Sequence, residues 1–335
     1  MTRNAQPAGA ETAPAAPGAA DAAALGLTIV ARSQGQLIRR RFFRHRGALF
    51  GMFLFLLVVV LSVSSIGMGP IPGWWDKSPT ATGSVSGDAG PTLSVLPSFL
   101  GGGGVHLGEH PFGQDNIGRD YFALTMRGTQ VSLMIAVIVG LVSTLVGTVI
   151  GAAAGYFRGW IESVLMRVTD VVIAIPTLLI AGLIGSIVAG KGVVLFALFL
   201  GLCLWTQIAR LVRGEVLSLR EKEYVEAARS VGTPARRIIF KHILPNTMGI
   251  IIVSATLAIA SAVLTESALS FLDLGVQPPD TSLGRQINDY RTALTVRPWL
   301  FYWPGAFIIA IALSVNFIGD GLRDAFDPRQ TRVRD

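Results

Sequence analysis

Polar residues that could do chemistry are sparse in this chain and fall in a few places. Residues 223–246, EYVEAARSVGTPARRIIFKHILPN, form its most polar segment, set between long apolar runs. His106 and His110 stand four apart beside Glu109 and Asp115, a spacing that would suit a metal ion if the piece were helical. The run GSIVAGKG (185–192) satisfies G-x-x-x-x-G-K, the pattern of a phosphate-cradling loop. Asp170 and Glu266 are acids that lie only near the ends of apolar runs, not at mid-membrane, where ionisable groups are costly and persist for function.

Most of these readings fail on their own chemistry. The glycines before His106 and Pro111 after His110 argue against one helix, and two histidines do not close a metal site, so this piece reads as solvated loop. GSIVAGKG has Gly192 where a phosphate loop needs Ser or Thr for magnesium. No Ser/His/Asp or Cys/His set is legible, since the four histidines, 45, 106, 110 and 242, fall in separate contexts. Cys203 is the single cysteine, which excludes an internal disulfide and a cysteine-based metal site. The chain itself reads as having no catalytic, cofactor or metal site.

What must position the polar segment is a membrane bundle. The chain has 335 residues, is 51% hydrophobic and 15% charged, and has a mean hydropathy of +0.56. Those values are far from a soluble globular domain. The net charge of +7 would suggest nucleic acid in a soluble protein, but in a membrane protein excess Lys and Arg reflects the positive-inside rule. Arg236, Arg237 and Lys241 could touch DNA phosphates from a helix–turn–helix, yet apolar spans within a few residues of both ends forbid that docking.

Six uncharged runs are long enough to cross a ~30 Å hydrocarbon core, at 48–66, 131–155, 171–190, 193–209, 247–265 and 300–319. The fold class is therefore all-α, polytopic, with six transmembrane helices. Residues 1–34, rich in Ala, Pro and Gly, read as a disordered tail, 35–325 as the six-span domain and 326–335 as a C-terminal tail. Pro176 lies inside the third run, and Gly147, Gly151 and Gly155 share one helical face, where a neighbouring backbone could come close. The outer loop, about 67–130, is too long for a simple connector and reads as a small cap. With both termini in the cytoplasm the inner segments hold 21 basic residues and the outer ones 7, which specifies the orientation. Trp74, Trp75, Trp299, Tyr302 and Trp303 then fall at the outer interface, and Tyr156 and Trp160 at the inner one.

The polar segment thus lies in a cytoplasmic loop, about 210–246. Glu223 to Ser230 predicts a short helix, Gly232 a left-handed stop, and Thr233-Pro234 the start of a second helix that ends at Pro245. Ala227 and Ala228 keep one surface low for a partner, and Glu226 places a charge at its edge.

At these residues the chain resembles the permease subunits of ABC importers. Glu226-Ala227-Ala228, three residues, Gly232, then Leu244-Pro245 is similar to their EAA loop. HPFGQDNIGRD (110–120), ESALSFLDLGVQPPDTSLG (266–284) and GDGLRDAFDPR (319–329) resemble the dipeptide, oligopeptide and nickel branch, in particular the C-type permease of the heterodimeric pore. The match departs at Asp273, where the family has Gly, and at Leu283, where Trp is common. The resemblance implies a type I importer transmembrane domain in the cell membrane, with a second homologous permease, two ATP-binding subunits and an extracytoplasmic substrate-binding protein as partners. It further implies ATP and magnesium on those ATPase subunits rather than on this chain, docking through Glu226, Ala227, Ala228, Gly232, Leu244 and Pro245, and a di- or oligopeptide as cargo. Nickel or another small solute is the alternative cargo. An ion-coupled secondary transporter would need mid-membrane ionisable groups that the runs lack, and a structural scaffold would not explain a compact docking loop.

Overall fold

The computed structural model describes residues 34–85, 87–94, 104, 106–188 and 190–327. The two tails expected at the chain ends lie almost wholly outside these residues.

A short basic helix, α1 (Gln34–Phe42), leads into the first long apolar helix, α2 (Arg46–Ile66). The α2 N-terminus is capped by the His45 ring, whose Nδ1 accepts from the Ala48 N–H at 3.0 Å. A two-stranded hairpin follows, β1 (Gly67–Met68) against β2 (Ile71–Pro72), and then irregular chain up to α3 (Tyr121–Phe157). The Asp120 carboxylate caps α3 through the Ala123 N–H at 2.8 Å. The apolar run starting at 131 is therefore only the inner part of a 37-residue helix. At 1.5 Å per residue α3 is about 55 Å long and exceeds the hydrocarbon core.

The third and fourth apolar runs are broken. Helix α4 (Gly159–Ala174) and α5 (Thr177–Val188) meet at 85° around Pro176, whose ring and missing N–H cannot continue a helix. Helix α6 (Val193–Gly201) and α7 (Thr206–Arg220) meet at 42°. Among the described residues four helices are long and apolar enough to cross a membrane unbroken, and the number reaches six when each bent pair counts as one span.

After α7 come α8 (Glu223–Ser230), α9 (Ala235–Ile238), a π turn over Ile239–Ile243 and α10 (Leu244–Phe271). The second helix does not end at Pro245 as expected, because residues Ala235–Phe271 form one continuous stretch. The π turn explains this: the Leu244 N–H bonds back to Ile239 O, so the ladder changes register just before the proline. A wider turn accommodates the group that a strict α-helix would exclude. The chain closes with α11 (Leu283–Asp289), a 3-10 turn at Arg291–Ala293 and α12 (Trp299–Phe326).

The bundle centres on α3, flanked by α7, α10 and α6. The glycine stripe marks its tightest seam. A Cβ at Gly147 would stand 2.8 Å from Trp205 O, at Gly151 2.5 Å from Ala209 O and at Gly155 2.8 Å from Arg213 O, so only glycine lets α7 lie this close. The start of α2 and the end of α12 also meet: His45 Nε2 is 3.3 Å from Asp324, and Arg41 donates to Asp327 O at 3.1 Å. Adjacent ends on the first and last spans require an even number of crossings.

Three apolar clusters stack along this frame. One fills the bundle around Ile135, Val139, Leu200, Val263 and Ile311. A second, with Val212, Val216, Val225, Ile238 and Ile243, lies under the polar segment. The third builds a cap at the opposite end from Phe112, Tyr121, Phe122, Met126 and Leu300. Of the residues expected in interfacial aromatic belts, Trp74, Tyr302 and Trp160 face outward, at 52%, 63% and 75% exposure. Trp75, Trp299 and Trp303 instead turn into the cap, Trp303 stacking on Phe112 at 3.8 Å.

Candidate coupling site

The polar segment folds as a short helix on the end of the bundle. One side of α8 is fixed: Val225 is fully buried in the cluster with Val216 and Ile238, and half-buried Ala228 packs beside it. Arg229, on the same side, places its guanidinium 5.1 Å from the centre of the Tyr156 ring at the inner end of α3, and Arg220 approaches the same ring at 5.9 Å. A cation over an aromatic face is held by the ring quadrupole. The other side of α8 is open, with Glu223, Tyr224, Glu226 and Ala227 exposed.

The turn after α8 is a complete Schellman motif. The Gly232 N–H donates to Arg229 O at 2.8 Å, and the Thr233 N–H donates to Ala228 O at 3.1 Å, with Gly232 at φ +79°. No atom lies within 4 Å of where a Gly232 Cβ would be, so the demand for glycine comes from backbone conformation alone. The turn throws Val231 outward, 85% exposed, and Tyr224 at the start of α8 is 42% exposed. An apolar pair on the open face of a polar helix was not legible in sequence. Val225 was also missed, although its spacing from Ala228 is the i, i+3 signal of a buried stripe.

Of the residues picked from sequence, Glu226, Ala227 and Gly232 share the open side, whereas Ala228 turns toward the bundle. Leu244 packs into the cluster beneath and Pro245 is exposed on the π-turned helix. These two support the segment from behind. Ion pairs tie its flanks to α4: Arg213 with Glu162 (Nε to Oε1, 2.8 Å), Arg210 with Asp170 at 2.6 Å, and Arg158 with Glu221 at 3.3 Å. Their part-exposed heads make each pair worth less than about 1 kcal/mol, so they set geometry more than stability.

The segment HPFGQDNIGRD is not the solvated loop expected from sequence. Asp115 and His110 are buried. One Asp115 oxygen accepts from the Ile117 and Arg119 N–H groups, and the other accepts from Arg119 Nε at 2.6 Å and the Tyr290 hydroxyl at 2.8 Å. Arg119 also donates to the Tyr290 oxygen at 2.8 Å. Burial, and then the Asp115 charge, hold the Tyr290 hydroxyl above its ordinary value. Burial is the largest single influence on Arg119 and opposes its charge, but the hydrogen bond to Asp115 together with the nearby Tyr290 and Asp115 charges outweighs it and raises its pKa. His110 Nδ1 lies 2.8 Å from Asp120, whose other oxygen caps α3 and accepts from Trp75 Nε1. The cluster is a clasp that fixes this cap to the α11–α12 corner. Among the described residues no group of three or more His, Cys, Asp or Glu could hold a metal ion.

Glu266 lies in the last turns of α10. Because α10 runs on to Phe271, this acid is wholly buried, accepting from Ser132 Oγ at 3.1 Å and Ser270 Oγ at 2.7 Å. Ser132 Oγ in turn accepts from the Leu283 N–H, so the carboxyl joins α3, α10 and α11. A buried acid knitted into three helices is a structural knot.

A helical bundle with broken spans, a glycine-terminated polar helix at one end and a clasped cap is the frame of an integral membrane protein. Residues 147–332 match the family described as binding-protein-dependent transport system inner membrane component, and residues 33–71 match the N-terminal TM domain of oligopeptide transport permease C. The chain belongs to this family of ABC importer permeases, and is an inner-membrane protein. It is 36% identical over 304 residues to the oligopeptide transport system permease protein OppC of Mycobacterium tuberculosis (strain H37Rv), covering 90% of this chain and 97% of that one. The OppC protein of Bacillus subtilis (strain 168) is 33% identical over 316 residues, covering 94% and 96%.

Proposed function

We propose that this permease forms one half of a heterodimeric pore for di- or oligopeptides, delivered from outside by a substrate-binding protein and driven by two separate ATPase subunits. The cargo rests on relatives named as oligopeptide permeases over nearly their full length. The coupling rests on one observation: α8 is anchored by buried Val225 while Tyr224, Glu226, Ala227 and Val231 face open space. An ATPase groove that receives this face would push on α8, and Val225 and the Arg229–Tyr156 contact would pass the motion into α3 and α7. Alternating access follows if ATP-driven closure biases the bundle between inward- and outward-facing states. Both termini then lie in the cytoplasm, on the side rich in Lys and Arg.

Ala227→Arg tests the docking. Its Cβ is exposed, so the isolated chain should fold unchanged, while the added bulk should block the ATPase and abolish co-purification and uptake. Normal co-purification of the ATPase subunits with this variant would overturn the docking assignment. The isolated chain should show no ATP hydrolysis, which should appear only with the ATPase subunits present.

A further inference from the structure

A strongly basic surface sits where the chain enters its first span. Helix α1 and the turn after it read QGQLIRRRFFRHR, and Arg39, Arg40, Arg44 and Arg46 are all exposed. None of these four has a carboxylate partner among the described residues, whereas Arg41 donates to Asp327 O and His45 meets Asp324. Like charges crowded into one short segment repel one another, and a counter-charge from outside the chain relieves that cost. The positive-inside rule accounts for basic residues on one side of a membrane. It does not account for what surrounds these.

The surface has a fixed shape. The Phe43 N–H donates to Arg39 O and the His45 N–H to Phe42 O, both at 3.1 Å, so backbone bonds close the turn between α1 and α2. Arg41 ties the same turn to the end of α12. On the side of α1 that carries Gln36, Arg39, Arg40 and Phe43, at spacing i, i+3, i+4 and i+7, these four residues line one hollow of about 440 Å³. Two cations and a ring that is 52% exposed therefore share a single preformed recess. An apolar stripe follows directly along the chain. Phe50, Phe53, Leu57 and Val60 lie on one face of α2 and are each at least half exposed. Phe50 also packs against Phe317 of α12, the helix that anchors α1, so the stripe starts beside the basic hollow.

We propose that this hollow is a headgroup site for an anionic phospholipid, with the phosphate held by Arg39 and Arg40 and an acyl chain starting along Phe43. Guanidinium groups match phosphate oxygens in charge and in geometry, and basic clusters at the end of a span attract anionic lipid. A soluble phosphate would use the arginines but not the ring. The site requires only that α2 crosses a membrane, and it takes nothing from the cargo or coupling readings.

The test is native mass spectrometry of the complete transporter, purified with phosphatidylglycerol and phosphatidylcholine in equal amounts. The wild type should retain phosphatidylglycerol in preference. Each arginine near an anionic surface changes binding about fivefold, so Arg39→Gln combined with Arg40→Gln should weaken its retention about twenty-five-fold. Both side chains are exposed, so the fold should stand. Lysine at both positions keeps the charge and should restore most of the retention. Arg236→Gln combined with Arg237→Gln removes the same charge from α9 and should retain the lipid as the wild type does. Phe43→Ala removes no charge and should weaken retention about fivefold. Equal retention of the two lipids by the wild type, or unchanged retention in the α1 pair, would overturn the site. So would an equal loss in the α9 pair or no loss in Phe43→Ala, since either would reduce the effect to surface charge. Inorganic phosphate at millimolar concentration should leave the lipid bound; displacement would make the ligand a soluble phosphate. Loss of ATPase co-purification from the α1 pair with the lipid still bound would assign the arginines to a protein partner and overturn the lipid assignment.

Discussion

The Arg229 guanidinium lies 5.1 Å from the centre of the Tyr156 ring, and this contact joins the short helix α8 to the C-terminal end of α3. Together with buried Val225 it fixes α8 to the bundle, and under the proposed docking it is the route by which a force on α8 would reach the bundle. A cation–π contact at a part-exposed site contributes about 0.5–2 kcal/mol. Tyr156 is also buried beside Val212 and Val216, so Tyr156→Ala should lower stability by about 3 kcal/mol or more, while in the assembled complex ATP hydrolysis should persist and peptide uptake per ATP fall several-fold. Tyr156→Phe keeps the ring and should restore coupling. Equal uptake per ATP in the Ala and Phe variants would show that the contact transmits nothing.

Gly232 makes a different demand. Its φ of +79° and the two Schellman hydrogen bonds require a left-handed residue, and open space around it excludes a steric reason. A β-branched side chain resists that conformation by roughly 1–2 kcal/mol, enough to redirect the chain entering α9. Gly232→Val should still insert in the membrane, since no apolar surface changes, but should lose both ATPase co-purification and uptake. Glu226→Ala, on the open rim, should act more weakly. Full uptake by Gly232→Val would remove the segment from the coupling route.

The outer clasp should give the protein an alkaline limit. Tyr290 is neutral in the fold and its pKa is raised above the ordinary 10.0, first by burial and then by Asp115. A group raised on folding contributes stability that is complete below its unfolded pKa and declines as pH climbs past it, because the unfolded chain then sheds the proton that the fold retains. Arg119, itself held above its ordinary value, stays charged through this range. Thermal unfolding of the purified transporter should fall steadily from about pH 9.5 upward. Tyr290→Phe should flatten that decline while costing about 1 kcal/mol at neutral pH, because Asp115 loses a donor. A decline of the same slope in Tyr290→Phe would assign the alkaline limit elsewhere.

What was legible in sequence divides by the range of the force involved. Glu223–Ser230 and the Gly232 turn follow from local chemistry, a run of helix formers before the one residue type free to turn left-handed, and the structure places them at those residues. The glycines at 147, 151 and 155 announced a close approach, but only the fold names α7 as the neighbour. The continuation through Pro245 was hidden because a π turn has no sequence signature, and local rules stop a helix at proline. Asp115 and His110 looked solvated for a similar reason: their partners Tyr290 and Lys77 lie far away in the chain. The break between α6 and α7 contains no proline at all, so hydropathy alone joined what packing separates.

The end of α10 repeats the Gly232 turn with a different residue. The Asp273 N–H donates to Ser270 O at 3.1 Å, the Leu274 N–H donates to Leu269 O at 2.8 Å, and Asp273 has φ +66°. This is the position at which the family resemblance calls for glycine, and the geometry shows why. Aspartate is among the few L-residues that visit this conformation, and its carboxylate is here paired with Arg285. Asp273→Gly should remove about 1 kcal/mol of backbone strain and lose a half-exposed ion pair worth about 0–1 kcal/mol, so stability should change little. Asp273→Ala keeps the strain and loses the pair, and should destabilise by about 1–2 kcal/mol, with Asp273→Val worse because of its branched Cβ. In an Arg285→Gln background the ion pair is already gone, so Asp273→Gly should become clearly stabilising. Thermal unfolding of the four variants decides it: if alanine at 273 matches or exceeds glycine, the left-handed turn does not govern this corner.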